Sequence, residues 1–276
     1  MINPLEKIQK AFRHYRAIKN MPMRLEFVVT DYCNLNCRGC THYSPLAAKE
    51  FASLEQLEQS MSRLASICGN KVKNVYLIGG ETLLYPRLTE AMEALRKHFG
   101  TQRLFIFTNG IALPKMSDEF YATAKRLGFI MAVTRYPIKF DYDKVIADVR
   151  ARGIEVEVYG DRSMADSFFR FALDPKGKQN GLISHFKCFN RGCMSIVGDR
   201  LYPCSISACV GHLNKACGTA FKHLDGDYLH IPSITSYSQI QRLRDKPVPF
   251  CRYCIYPVDE VRYGPSKRLK EEWVEE

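Results

Sequence analysis

Residues 30–43 read TDYCNLNCRGCTHY and place Cys33, Cys37 and Cys40 in a C-x-x-x-C-x-x-C spacing, directly after the apolar, β-branched run RLEFVVT at 24–30. That run has the pattern of a buried strand, so the cysteines sit on the loop that leaves it. Three thiolates so close together suit an iron-sulfur cluster. A 4Fe-4S cluster normally takes four, and a three-cysteine loop leaves one iron open to another ligand. Chance clustering of cysteines is the competing reading, and the structural context of the motif decides between them.

The triplet and its preceding strand resemble the radical S-adenosylmethionine (SAM) enzymes. In that family three cysteines after the first barrel strand hold the cluster, and the amino and carboxyl groups of SAM chelate the fourth iron. Reduction then cleaves SAM to methionine and a 5'-deoxyadenosyl radical that abstracts hydrogen from substrate. Two further segments extend the resemblance. VKNVYLIGGETLLYP (72–86) is a strand ending in Gly79, Gly80 and Glu81, similar to the family's GGE motif. There the glycines are expected to let SAM approach the backbone, and the carboxylate to accept from its ammonium group. RLFIFTNG (103–110) ends in Thr108, Asn109 and Gly110, similar to the TNG of many relatives. Position at later strand ends makes Thr134 and Arg135 candidates for the SAM carboxylate or substrate, with an ordinary loop cation as the equal alternative for Arg135. Many relatives carry an aromatic residue before the third cysteine, where this chain has Gly39. Contact with adenine is then expected from His42 or Tyr43.

Strand and helix patterns alternate through the first half, which implies parallel βαβ units. Leu54, Leu57, Met61 and Leu64 mark one helix, capped by Ser53 and Gln56 and ending at Gly69. Leu88, Met92, Leu95 and Phe99 mark a second. Helix 117–127, strand 129–134, helix 142–152 and strand 154–159 follow. Five units are countable, and the family resemblance implies an α/β fold with a partial (βα)6 TIM-like barrel, its active site at the carboxyl ends of the strands. The expected divisions are an N-terminal helix (1–23), the barrel (24–186) and a small cysteine-rich auxiliary cluster domain with the tail (187–276).

That last division rests on seven further cysteines. Cys188, Cys193, Cys204, Cys209 and Cys217 crowd one stretch, and Cys251 and Cys254 form a C-x-x-C. The span from Cys188 through Gly198 to Cys204 resembles the opening of the auxiliary-cluster domains called SPASM and twitch, and this chain has cysteines for one such cluster. Cys188, Cys193, Cys204, Cys251 and Cys254 are five candidates for four places, and spacing leaves the spare one open. A structural zinc site is the alternative use of such thiolates. Cys68, Cys209 and Cys217 fall in helical patterns and read as small buried hydrophobes.

The chain has 276 residues, 46% of them hydrophobic and 12% aromatic, which describes a globular protein. No run reaches membrane-span length and the N-terminus lacks a signal-peptide core, so cytoplasmic residence is expected, where cysteines remain thiols. A net charge of +11 suits an acidic electron donor or anionic metabolites. Lys7, Lys10, Arg13, Arg16 and Lys19 lie opposite Leu5, Ile8, Phe12 and Tyr15 on a helix, which reads as a solvated docking helix rather than a nucleic-acid arm. The connector 161–186 is long, and its Phe168, Phe169 and Phe171 read as a satellite hydrophobic cluster or as a lid.

Three readings of function follow. The first is a radical SAM enzyme of oxidoreductase type, reduced by a flavodoxin- or ferredoxin-type donor, that oxidises or rearranges a small polar, sugar-like metabolite. Only about twenty-three residues precede the first strand, fewer than a peptide-leader domain needs, and this sets the small substrate ahead of the second reading, a peptide or protein maturase. The third, a non-enzymatic electron-transfer or zinc-structured binding protein, gives no role to the GGE and TNG segments.

Overall fold

A computed structural model describes residues 22–160 and 167–275; the expected N-terminal docking helix lies almost wholly outside the described residues. Five strands run parallel and side by side in chain order: β1 (Arg24–Thr30), β2 (Asn74–Gly79), β3 (Arg103–Thr108), β4 (Phe129–Thr134) and β5 (Val156–Tyr159). Between them run α1 (Leu54–Cys68), α2 (Leu88–His98), α3 (Asp118–Leu127) and α4 (Tyr142–Ala151). Local chemistry sets the helix ends. Ser53, Ser117 and Asp141 accept backbone N–H bonds at the starts of α1, α3 and α4, and α3 stops at Gly128 in the left-handed region.

Period-two alternation sorts each strand onto two faces. Leu25, Phe27, Val75, Leu77, Leu104, Ile106, Met131 and Val133 join the helices in the main core. Tyr76, Phe105, Ile130 and Ala132 form a second cluster on the opposite face, with Tyr76 and Phe105 stacked at 4.4 Å. The result is an α/β fold on a mostly parallel sheet, as the strand-helix repeat predicts.

The rest of the chain joins that sheet where the repeat gives no hint of it. After β6 (Ser167–Arg170) and α5 (Gly181–Lys187), strand β7 (Cys193–Val197) pairs in parallel with β1, not with β5. β8 (Arg200–Tyr202) and β9 (Leu229–His230) extend this edge antiparallel, giving the order β5-β4-β3-β2-β1-β7-β8-β9. Five units therefore follow one another, and the sixth parallel strand comes from the cysteine-rich segment at the opposite edge. Two helices follow β8: α6 (Ser205–Cys217), before β9, and α7 (Tyr237–Asp245), after it. The long connector is ordered where described, because β6 pairs antiparallel with β10 (Asp259–Arg262). No helix of the described residues is long and apolar enough to cross a membrane.

The C-terminal segment straps the cysteine loop. Ser266 N–H donates to the Asn36 carbonyl (2.7 Å), Arg38 N–H to that of Gly264 (3.0 Å), and Asn36 Nδ2 to that of Ser266 (2.8 Å). Trp273, 1% exposed, donates from Nε1 to the Cys40 carbonyl at 3.0 Å and lies against Tyr43. Its own carbonyl takes the N–H of Leu173, which forms an isolated bridge to Cys254. The side chain and backbone of one residue thus tie the first cysteine group to the last. Trp273→Ala is expected to cost about 3–5 kcal/mol by urea denaturation. Trp273→Phe, which loses mainly the Nε1 bond, is expected to cost about 1 kcal/mol.

Candidate active site

The carboxyl ends of the parallel strands open into a cavity of about 530 Å³. Cys33, Cys37 and Cys40 line it together with Gly79, Gly80, Thr108, Asn109 and Thr134. Residues from four separate stretches of sequence therefore share one wall. Tyr136, Tyr159, Phe169, Phe189 and Asn190 add to it, and Arg24, Glu26 and Cys193 line it on β1 and β7.

The glycines have a reason other than the expected approach of a ligand. A Cβ on Gly79 would lie 1.9 Å from the Thr30 carbonyl oxygen, and one on Gly80 would lie 2.4 Å from that of Asp31 and 2.5 Å from that of Tyr32. The backbone entering the cysteine loop crosses directly over the end of β2. Gly80 N–H donates to Thr30 (2.7 Å) and Glu81 N–H to Tyr32 (2.9 Å), which fixes the crossing.

Glu81 also differs from its expected role. Its side chain is fully buried and is absent from the cavity wall. Oε1 accepts from Thr108 Oγ1 (2.7 Å) and Leu83 N–H (2.9 Å), and Oε2 from Asn109 N–H (2.8 Å). Burial pushes the carboxyl above its ordinary range, against three donors that favour the anion. It is a positioning group that locks the ends of β2 and β3 together. Asn109 then holds the first cysteine's surroundings: its Nδ2 donates to Asn34 Oδ1 at 2.7 Å and lies 3.8 Å from Cys33 Sγ.

Two more expectations change. Arg135 is turned to Asp143, with 2.6 Å between Nη2 and Oδ1, and does not line the cavity; Thr134 and Tyr136 do. The Oγ1 of Thr134 is buried without a hydrogen-bond partner among the described residues, a polar atom left for whatever fills the space. Of the two residues proposed for adenine, His42 lines the cavity, whereas Tyr43 is buried against Trp273 and does not. In the connector, Phe169 is 40% exposed and lines the cavity, and both it and Phe171 meet Phe189.

The five C-terminal candidates divide between two cavities. Cys188, Cys204, Cys251 and Cys254 line a separate, small cavity of about 40 Å³ with His185, Arg191 and Tyr256. Cys193 stands outside it. As the first residue of β7 it pairs across from Arg24, whose Nη2 lies 2.9 Å from its Sγ, and both line the large cavity instead. Strand parity, with Cys193 and Ser195 on one face of CMSIV, is the signal that separates it from the other four.

Burial pushes both thiol sets up. Cys33 and Cys37 rise to about 12, Cys251 to about 11, and Cys40, Cys188, Cys204 and Cys254 also rise, with neighbouring thiols adding to the effect at all but Cys40 and Cys188. Converging thiols that resist ionisation alone become good ligands once a cation replaces their protons.

A family model for the radical SAM superfamily matches residues 27–158. Residues 27–158 are a radical SAM domain. The matched span holds the triplet, the GGE and TNG segments and Thr134, and the cofactors of such a domain are a 4Fe-4S cluster and SAM. Relatives include GTP 3',8-cyclase 1 of Mycobacterium tuberculosis, 30% identical over 46% of this chain and 38% of the relative, and the GTP 3',8-cyclase of Peptoclostridium acidaminophilum, 28% identical over 43% and 36%. The chain thus spans well under half the length of these relatives. Among solved structures, BtrN in complex with AdoMet and 2-DOIA is similar in fold, with a TM-score of 0.52 and 16% identity over 86% of this chain and 94% of that one.

The residues fit the radical SAM cofactors. Three thiols that resist ionisation without a cation face a cavity of drug-like volume, and an orphaned hydroxyl lines the same space. Two outcomes are expected. Gly80→Ala should yield protein whose iron content after anaerobic reconstitution falls well below wild type, since the new methyl displaces the cysteine loop. In metal-free protein, the alkylation rate of Cys33 and Cys37, followed by mass spectrometry, should rise about tenfold per pH unit from pH 7 to beyond 9; levelling near pH 8.5, as for a free thiol, would contradict the burial account.

Proposed function

We propose that Cys33, Cys37 and Cys40 hold a 4Fe-4S cluster whose open iron takes SAM, and that the chain oxidises or rearranges a small polar metabolite. The observation that carries this reading is the single cavity shared by the three cysteines, the ends of β2, β3 and β4, and the paired Arg24 and Glu26. When bound, the cluster and SAM supply a 5'-deoxyadenosyl radical, and the substrate's target carbon must lie within reach of it in the same space. Thr134 Oγ1 and Asn109 offer polar contacts to SAM, and Gly79 and Gly80 offer backbone. Glu81 acts through the strand ends it locks. A flavodoxin- or ferredoxin-type donor would supply the electron.

The two relatives named above are GTP cyclases by name, which makes a nucleoside triphosphate a competing reading. The cavity wall speaks for a smaller, less charged substrate. Among the described lining residues Arg24 is the one arginine or lysine, and it is already paired with Glu26 at 2.6 Å. Three phosphates need more positive charge than that. A peptide maturase remains a further alternative that substrate screening addresses.

Cys188, Cys204, Cys251 and Cys254 are proposed to hold an auxiliary 4Fe-4S cluster. A mononuclear zinc draws four sulfurs to about 2.3 Å from one point and leaves no free volume, whereas these four thiols line a cavity. With the five-unit barrel and β7 this amounts to a partial radical SAM barrel carrying a twitch-like domain.

The test is anaerobic purification, iron and sulfide assay, then dithionite and SAM. About eight irons per chain and release of 5'-deoxyadenosine are expected. Cys33→Ala should reduce release to background and Cys251→Ala should remove about four irons. Release that persists in Cys33→Ala would overturn the SAM-cluster assignment.

A further inference from the structure

Next to the cysteine loop lies a polar cluster that neither cysteine set uses. Asp31 and His42 flank the triplet, and Cys209 reaches them from α6, the helix whose N-cap is Cys204. Asp31 Oδ1 and His42 Nδ1 are 3.2 Å apart, Cys209 Sγ and Asp31 Oδ1 3.5 Å, and Cys209 Sγ and His42 Nδ1 3.7 Å. All three donor atoms lie within 4.8 Å of one another.

These lengths are the edges of a tetrahedral face. Zinc bonds of about 2.0 Å to oxygen, 2.0–2.1 Å to nitrogen and 2.3 Å to sulfur, opened at the tetrahedral angle, give edges of about 3.3, 3.5 and 3.6 Å. Hydrogen bonding accounts for them less well, since a charge-assisted imidazole–carboxylate bond closes to about 2.7–2.9 Å. The same carboxylate makes such a bond on its other oxygen, where His212 Nε2 lies 2.9 Å from Oδ2. One oxygen is spaced as a ligand, and the other is held by the kind of outer partner that orients ligating carboxylates.

We infer that Asp31, His42 and Cys209 form a zinc site. One carboxylate, one thiolate and one neutral imidazole balance a divalent ion, which removes the cost of burying either anion alone. Both His42 and Cys209 are under 9% exposed. The mixed oxygen, nitrogen and sulfur set suits a borderline ion such as zinc. The ion would pin α6 to the loop leaving β1 and so hold Cys204 in fixed relation to Cys40. Recognition of zinc by these three residues is independent of the iron assignments; its role in spacing two clusters rests on the proposed function.

The test is zinc analysis and zinc-edge X-ray absorption on the full chain, purified anaerobically with its iron. About one zinc per chain is expected, with one sulfur and three nitrogen or oxygen neighbours. Cys209→Ala and, separately, His42→Gln should reduce zinc to background, while Cys251→Ala retains it. Absence of zinc from wild type, or its retention in both Cys209→Ala and His42→Gln, would overturn the site. A shell of four sulfurs, lost in Cys251→Ala, would overturn it too, and would place zinc where the auxiliary cluster is proposed; iron loss with an intact one-sulfur zinc signal would instead refute the cluster alone.

Discussion

The carboxylate of Glu81 gathers donors from its own loop and from the end of β3, while the two glycines before it admit the backbone of Thr30, Asp31 and Tyr32 across the end of β2. Three strand ends meet at this crossing, and the loop that carries the cysteines starts from it. A buried acid is costly unless its lone pairs are taken up, and here backbone and hydroxyl donors take them up. The cost is returned as fixed geometry. Cys33 sits beside Asn109, whose backbone is held by Glu81, so the position of the first cysteine is tied to a residue absent from the cavity wall.

From the other side the loop is held by the end of the chain. Ser266 and Gly264 pair with its backbone, and Trp273 fastens Cys40. The same tail connects through Leu173 to Cys254, so Cys40 and Cys254 share one support although more than two hundred residues separate them in sequence. This arrangement holds buried thiols, each reluctant to ionise, around their cavities, because the backbone near them is bonded from both sides.

Much of this architecture is legible from local pattern. The strands β1 to β5 and their helices follow from apolar periodicity and caps, because each signal lies within a dozen residues. The triplet is legible for the same reason. What pattern does not carry is contact between distant segments. Nothing local in CMSIV says that it will lie beside β1, and the tail reads as ordinary polar chain until Pro265 meets Cys37. Spacing also conceals which side of an element a residue faces. Cys193 counts as a fifth ligand until strand parity turns it toward Arg24, and Cys209 reads as a small hydrophobe until α6 brings it to Asp31 and His42. Glu81 and Arg135 sit at strand ends as expected, yet each has protein partners that position alone does not reveal.

The central claim is that the loop leaves one iron open and that SAM occupies it. Electron–nuclear double resonance on the reduced full chain with ¹⁵N-labelled SAM reads that bond directly. The account predicts a nitrogen hyperfine coupling to the cluster that is lost in Cys37→Ala. A reduced cluster whose spectrum shows no coupling to the label at saturating SAM would contradict it.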